Sequence, residues 1–122
     1  MRVFLDANIL FSAAQSNSRM RLLLESIQPR GQCVTNQYAI EEARRNIAAK
    51  IPSALGSLEE LIKGCEVVQK FTTQLEVQLP LKDIPILGGA VAGRATHLLT
   101  GDRRDFGKLW GRTVRGVKVV TV

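Results

Sequence analysis

The sequence predicts an α/β fold, a three-layer α/β/α sandwich around a mainly parallel sheet. Short apolar runs at residues 3–5, 32–35, 66–68 and 97–100 are bounded by polar or turn residues, and a β-branched stretch closes the chain at 117–122. Between them, apolar residues recur three and four apart, the period of a helix with one buried face. Strand and helix therefore alternate, which favours parallel strands joined by helical crossovers. The runs themselves lack polar alternation, as expected of strands covered on both faces.

Residues 3–5 make the first strand, and a helix follows Asp6 through residue 14. The polar segment 15–18 breaks that helix. Ser18 suits the cap of a second helix, because its hydroxyl can accept from a free N–H of the first turn. Met20, Leu23, Leu24 and Ile27 share one face of it, and Pro29 with Gly31 ends it. Residues 32–35 form the second strand. Asn36 caps a helix over 37–51, where Ala39, Ala43, Ile47 and Ile51 form a stripe spaced by four. Pro52 stops it, and a further helix spans 53–63, with Leu55, Leu58, Leu61 and Ile62 on one face and Gly64 as terminator. Residues 66–68 make a short third strand. Residues 69–82 carry no period and are expected to run over the surface. Asp83 opens the next helix, with Pro85 in its first turn, where a missing N–H breaks no helical bond. That helix runs through Gly93. Residues 97–100 form a fourth strand, 102–109 a helical turn or short helix, and 117–122 the closing strand.

At 122 residues, 45% hydrophobic and 23% charged, the chain is sized for a single domain, 1–122, with one core. Its composition is that of an ordinary globular protein and excludes a disordered chain. Asp6 cuts the apolar N-terminal stretch too short for a secretion signal, and no run approaches a membrane span. Cys33 and Cys65 stand in no metal-binding spacing and adjoin apolar runs, so free thiols in a reducing cytoplasm are expected. The expected localisation is cytoplasmic, with no membrane partner.

Lys and Arg total 17 against 11 acids, a net charge of +6. If Asp6, Glu42, Asp83 and Asp102 converge in one pocket, the rest of the surface becomes more basic still. A basic surface around an acidic pocket suits a polyanion, because cations on the protein hold phosphates while metal ions neutralise the carboxylates. Basic charge also serves solubility alone.

Those acids occupy suggestive places: Asp6 in Val-Phe-Leu-Asp-Ala-Asn, Glu42 in Ile-Glu-Glu-Ala, Asp83 in Lys-Asp-Ile-Pro-Ile-Leu, and Asp102 with Asp105 in Leu-Leu-Thr-Gly-Asp-Arg-Arg-Asp-Phe. Each has a local explanation. Asp6, Asp83 and Asp102 can cap helices, Asp105 can complete a box with Asp102, and Glu41 with Glu42 can be a solvated helix face. Caps do not, however, require acids at three strand ends and another inside the intervening helix. A parallel sheet delivers the C-terminal ends of its strands to one edge, so distant acids can meet there. Carboxylates held together repel and call for cations. Two divalent ions about 4 Å apart on such a cluster stabilise the attacking and leaving oxygens of a phosphodiester displacement, with no need of His.

The four motifs, in this order and over essentially the whole chain, resemble the PIN domain. The Asp83 motif and the Thr-Gly-Asp stretch are the most specific of them. That resemblance implies a Mg²⁺- or Mn²⁺-dependent endoribonuclease. It maps the catalytic quartet onto Asp6, Glu42, Asp83 and Asp102, with metal held by Asp6, Asp83, Asp102 and, as an auxiliary, Asp105. Asn8 and Thr100 take supporting positions. Glu41 competes with Glu42 for the helix acid, and Glu42 is preferred because it precedes a small apolar residue. The small single-domain form resembles the toxin of a toxin–antitoxin pair, implying an antitoxin partner and a homodimer. A free-standing RNA-processing nuclease fits the same residues.

Arg103, Arg104 and Lys108, with Arg112, Arg115 and Lys118, crowd the sequence after Asp102 and are read as a contact surface for single-stranded or structured RNA. Trp110 among them is open to base stacking or to a core role. Gly88 to Gly93 lacks the spacing and Lys of a phosphate loop and reads as close helix–sheet packing. His97 reads as a strand-edge residue. Two other functional classes stand beside the nuclease. One is a non-catalytic RNA- or protein-binding module on the same fold. The other is a haloacid-dehalogenase-like phosphatase, which needs an acid two residues after its nucleophilic Asp, where this chain has Asn8. A response-regulator receiver lacks its phosphate-accepting Asp in residues 66–72.

Overall fold

The computed structural model describes residues 1–121. Its elements are β1 (Arg2–Leu5), α1 (Ala7–Ala14), α2 (Arg19–Ile27), β2 (Gln32–Asn36), α3 (Gln37–Lys50), α4 (Leu55–Lys63), β3 (Glu66–Val68), α5 (Ile84–Ala92), β4 (His97–Leu99), α6 (Arg103–Phe106), β5 (Thr113–Val114) and β6 (Val117–Val120). The strands form one sheet in the order β3-β2-β1-β4-β6-β5, parallel except for the β5–β6 pair. This is the expected three-layer α/β/α architecture. α1 packs against α2, α3 and α4 in one helical layer, while α5 lies against β2 and β4.

β1 is the centre of the molecule. Its Val3 pairs with Cys33 on one side and with His97 on the other. Phe4, Leu5, Val34 and Leu98 are fully buried there. Each such side chain contributes about 1.5–3 kcal/mol relative to an exposed one. The chain winds outward from β1 to β3, then returns to place β4 on the opposite side of β1. Strand order thus reverses beside β1, and in open α/β sheets ligands bind outside the carboxyl ends of the strands at such a reversal.

Most boundaries fall within a residue or two of expectation. Ser18 accepts from Arg21 N at 3.1 Å and Asn36 from Ala39 N at 3.0 Å, so both caps form as read. The closing strand ends at Val120, and Val122 lies outside the described residues. Two features were not anticipated. β5 pairs with β6 through a two-residue loop, Arg115-Gly116, with φ of 50° and 85°. Positive φ at both central residues is the tight hairpin geometry that usually selects Asn-Gly or Asp-Gly, and Arg in the first place hid it. Residues 69–80 form no strand or α-helix, but they do not merely trail over the surface. Leu75 is buried, and Thr72 N donates to the Gly88 carbonyl at 3.2 Å. That approach requires Gly88, since a Cβ there would overlap the Thr72 carbonyl oxygen. At Gly89 a Cβ would meet Asn36 Nδ2 and the Phe4 ring. The glycines are thus packing contacts, as their lack of phosphate-loop spacing indicated.

Candidate functional site

β1 and β4 end side by side, with Asp6 directly after β1 and Asp102 three residues after the end of β4. Asp6 N donates to the Leu99 carbonyl at 3.1 Å, continuing the β1–β4 ladder past its last strand residues. The buried Asp6 carboxylate then accepts from Ala7 N at 2.6 Å and from Thr100 Oγ1 at 2.7 Å. Thr100 Oγ1 also accepts from Asp102 N at 3.1 Å, so this fully buried hydroxyl spaces the two acids. Asn8 works on the same loop: its Oδ1 accepts from Gly101 N at 2.9 Å, and its Nδ2 lies 3.5 Å from Asp6 Oδ2. Asp102 in turn accepts from Asp105 N at 3.1 Å, the capping arrangement foreseen for these two.

Asp83 departs from that pattern. It sits in a one-turn 3₁₀ helix, Leu81–Asp83, at the start of α5, yet its side chain caps nothing. It is only 6% exposed, and its Oδ2 is buried without a hydrogen-bond partner. Asp83, Asp102 and Asp105 each present a carboxylate oxygen, and these oxygens all lie within 4.8 Å of one another. Lys82 Nζ stands 2.9 Å from Asp105 Oδ2, an ion pair outside hydrogen-bond alignment, since that oxygen too is buried without a hydrogen-bonding partner.

The electrostatics follow from this crowding. Burial pushes Asp6 up to about 6, against the Thr100 and Ala7 hydrogen bonds, and the charges of Glu42 and Asp102 add to the rise. Burial also pushes Asp83 up to about 7, reinforced by the Asp105 carboxyl beside it. Asp105 moves the other way, held below its usual range by Lys82 and by the Asp83 carboxyl it faces. Two facing carboxyls with opposite shifts share a proton when no cation lies between them. A divalent ion would replace that proton, and the unpartnered Asp83 and Asp105 oxygens are hard donors suited to Mg²⁺ or Mn²⁺.

The two adjacent helix acids separate cleanly. Glu41 is exposed and pairs with Arg44 at 2.7 Å, and Arg44 also binds Glu59 of α4 at 2.7 Å. Glu42 is half-buried and near enough to Asp6 to raise its pKa. Asp6, Glu42, Asp83, Asp102 and Asp105 thus gather at one edge of the sheet, and Glu41 faces away. Arg103, Arg104 and Lys108 are exposed, and the Arg104 charge acts on Asp105. The Arg103 guanidinium lies 5.9 Å from the centre of the half-buried Trp110 ring, which places that ring between core and surface. His97 begins β4 at the far end of the sheet from the acids, and its ring meets Thr96 at 2.8 Å. Cys33 and Cys65 are free thiols. Sequence reasoning missed Lys82, although it directly precedes Asp83. It also missed Tyr38, one helical turn before Glu42.

No protein-family profile and no curated relative matches the chain. Solved structures do. The crystal structure of VapBC2 from Rickettsia felis bound to a DNA fragment from their promoter contains a chain that superposes with a TM-score of 0.73 at 16% identity, covering 100% of this chain and 99% of that one. The structure of VapBC-1 from nontypeable Haemophilus influenzae gives a TM-score of 0.65 at 14% identity, with 99% and 98% covered. At these identities the likeness establishes architecture rather than activity. The chain has a PIN-like fold, the one its four motifs implied.

Proposed function

We propose that this protein is a metal-dependent endoribonuclease, the toxin of a toxin–antitoxin pair, acting on single-stranded or structured RNA. The observation that carries the reading is Asp83: a buried carboxylate with an oxygen within 4.8 Å of those of two others, capping no helix and left with an unpartnered oxygen. Desolvating such a group costs several kcal/mol unless a cation compensates it, so a purely structural role explains it poorly. Asp83, Asp102 and Asp105 would hold the ion, and Asp6 and Glu42 complete the acidic wall. Mg²⁺ or Mn²⁺ supplies Lewis acidity toward a phosphate oxygen and an acidified water as nucleophile. Thr100 and Asn8 fix the Asp6 carboxylate and the Gly101 turn at their spacing. Arg103, Arg104 and Lys108 hold the RNA backbone beside the cluster. The likeness to two VapBC structures supports an antitoxin partner as a proposal for this chain, and the proposed homodimer rests on the motif resemblance alone.

The non-catalytic module has one observation in its favour: Lys82 already offsets the Asp105 charge without any ion. Calorimetry with Mn²⁺, followed by cleavage of single-stranded RNA with and without EDTA, separates the two. Asp6→Asn keeps an oxygen for Ala7 N or Thr100 but removes the charge, and it is expected to reduce cleavage at least about 100-fold with the fold intact. Cleavage that survives EDTA and persists in Asp6→Asn rules out the metal mechanism.

The basic surface has its own test. Replacing Arg103 and Arg104 together by Ala should weaken RNA binding and flatten its dependence on log salt by about two phosphate contacts' worth, roughly 0.7 per contact for single strands. An unchanged slope would remove these arginines from the interface.

A further inference from the structure

The exposed aromatic side chains among the described residues are Tyr38, 39% exposed, and Phe71, 48% exposed. They come from segments 33 residues apart in sequence, yet both border one open hollow beyond the C-terminal ends of β2 and β3. Gln37, Gln69 and Lys70 line the same hollow. We infer that this hollow is a nucleobase-stacking subsite for single-stranded RNA, placed to seat a base beside the acidic cluster. The inference rests on the nuclease reading and adds to it a substrate contact on the side of the cluster opposite the arginines.

Position supports it first. Tyr38 and Glu42 are four residues apart on α3, so they share one face with about 6 Å of axial rise between them. Burial raises the pKa of the Tyr38 hydroxyl, and the charges of Glu42 and Asp83 add to the rise, as expected of a ring at the border of the acidic site. A strand of RNA with its phosphodiester at the acids therefore has the hollow within reach of a neighbouring base.

Phe71 is fixed rather than free. The next residue, Thr72, is hydrogen-bonded to Gly88, and the close approach is possible only because Gly88 has no Cβ. Asp83 immediately precedes the same helix, so the segment carrying Phe71 and the Asp83 carboxylate are both tied to α5. Holding a large apolar side chain half-exposed on a pinned segment forgoes about half of its burial advantage in the folded monomer. It does provide a stacking partner, because every base has a π-face and stacking is tolerant of sequence.

The chemistry of the rim selects RNA over an apolar peptide. Lys70 supplies a cation for a phosphate, and the Gln37 and Gln69 side chains carry the paired donor and acceptor that base edges take. No acid is among the lining residues, so the repelling charges are those of the neighbouring cluster, Glu42 and Asp83, which Lys70, Lys82 and Arg45 oppose.

The test uses the full chain in EDTA, where cleavage is blocked, with a single-stranded RNA hexamer carrying 2-aminopurine at each position in turn. Tyr38→Ala and Phe71→Ala should each weaken binding about tenfold. Tyr38→Phe and Phe71→Trp should restore it, and quenching of 2-aminopurine at one position should vanish in Phe71→Ala. The salt dependence should stay unchanged, since an aromatic contact displaces no counterions; Phe71→Gln serves as a second variant should Phe71→Ala lose its thermal transition. Affinity within twofold of the native chain in both alanine variants overturns the subsite and leaves the nuclease reading standing. A native chain that binds no RNA in EDTA and cleaves none with Mn²⁺ overturns both. Unchanged RNA affinity accompanied by altered self-association also overturns the subsite and assigns the rings to a protein contact.

Discussion

Asp83→Asn should raise the melting temperature of the metal-free protein at pH 8 and abolish the further rise that Mn²⁺ gives the native chain. The sign follows from the direction of the pKa shifts. Asp83 and Asp6 are pushed up to about 7 and about 6 in the folded protein, above the value near 3.9 of an unfolded Asp. A carboxyl with a raised folded pKa binds its proton more tightly when folded. Its contribution to stability is complete below the unfolded pKa and is lost as pH rises through the folded one. The metal-free protein should therefore weaken between about pH 4 and pH 7. For Asp6 the loss is on the order of 1–3 kcal/mol. Asp105, held low by Lys82, has the opposite sign and loses its contribution only as pH falls. Asn at position 83 removes the charge that burial penalises and also removes a ligand. Thermal melts from pH 5 to pH 8, with and without Mn²⁺, decide the matter. An Asn variant that is less stable than the native chain at pH 8 would contradict the charge argument, and a Mn²⁺ gain kept in full by that variant would take Asp83 out of the metal site.

Gly88→Ala should lower the melting temperature by on the order of 10 °C, against the ordinary rule for helices. Ala in place of Gly inside a helix normally stabilises by up to about 1 kcal/mol. At Gly88 the added carbon overlaps the Thr72 carbonyl oxygen, which is backbone and is itself tied to Gly88 by a hydrogen bond. Overpacking of this kind costs about 1–3 kcal/mol, and each kcal/mol moves the midpoint by about 4–8 °C in a domain slightly smaller than this one. Gly56 provides the control: it lies in α4 with nothing within 4 Å of its would-be Cβ, so Gly56→Ala should show the ordinary gain. Equal stability of the two alanine variants would mean that the 69–72 segment yields freely and is not pinned.

Much of the fold was legible because its signals are local. The caps at Ser18 and Asn36, the stripe from Ala39 to Ile47 and the β-branched run at the end each announce an element within a few residues. The hairpin at Arg115-Gly116 was not legible, because Arg rarely adopts the positive φ that the turn needs and its presence masks the glycine beside it. The tying-down of residues 69–80 was equally hidden: it depends on a contact between Thr72 and Gly88, and no period in either segment encodes it.

The acids divide along the same line. Their convergence could be anticipated from the ends of parallel strands. What distinguishes them from one another could not, since Asp6 and Asp102 carry cap hydrogen bonds and Asp83 does not, although all three look alike as letters. The separation of Glu41 from Glu42 required Arg44, three residues on, whose attachment to Glu59 turns Glu41 outward. Lys82 shows how a cation can be overlooked when attention rests on the anion next to it.

The pairing of β1 with β4 has a consequence for synthesis. The hydrogen bond from Thr100 to Asp6 joins residues 94 apart, and the cluster is complete only at Asp105. No nascent chain shorter than that contains the site, however well its first three strands have folded. If the protein cuts RNA, the messenger being read meets no assembled acidic site until translation has passed Asp105.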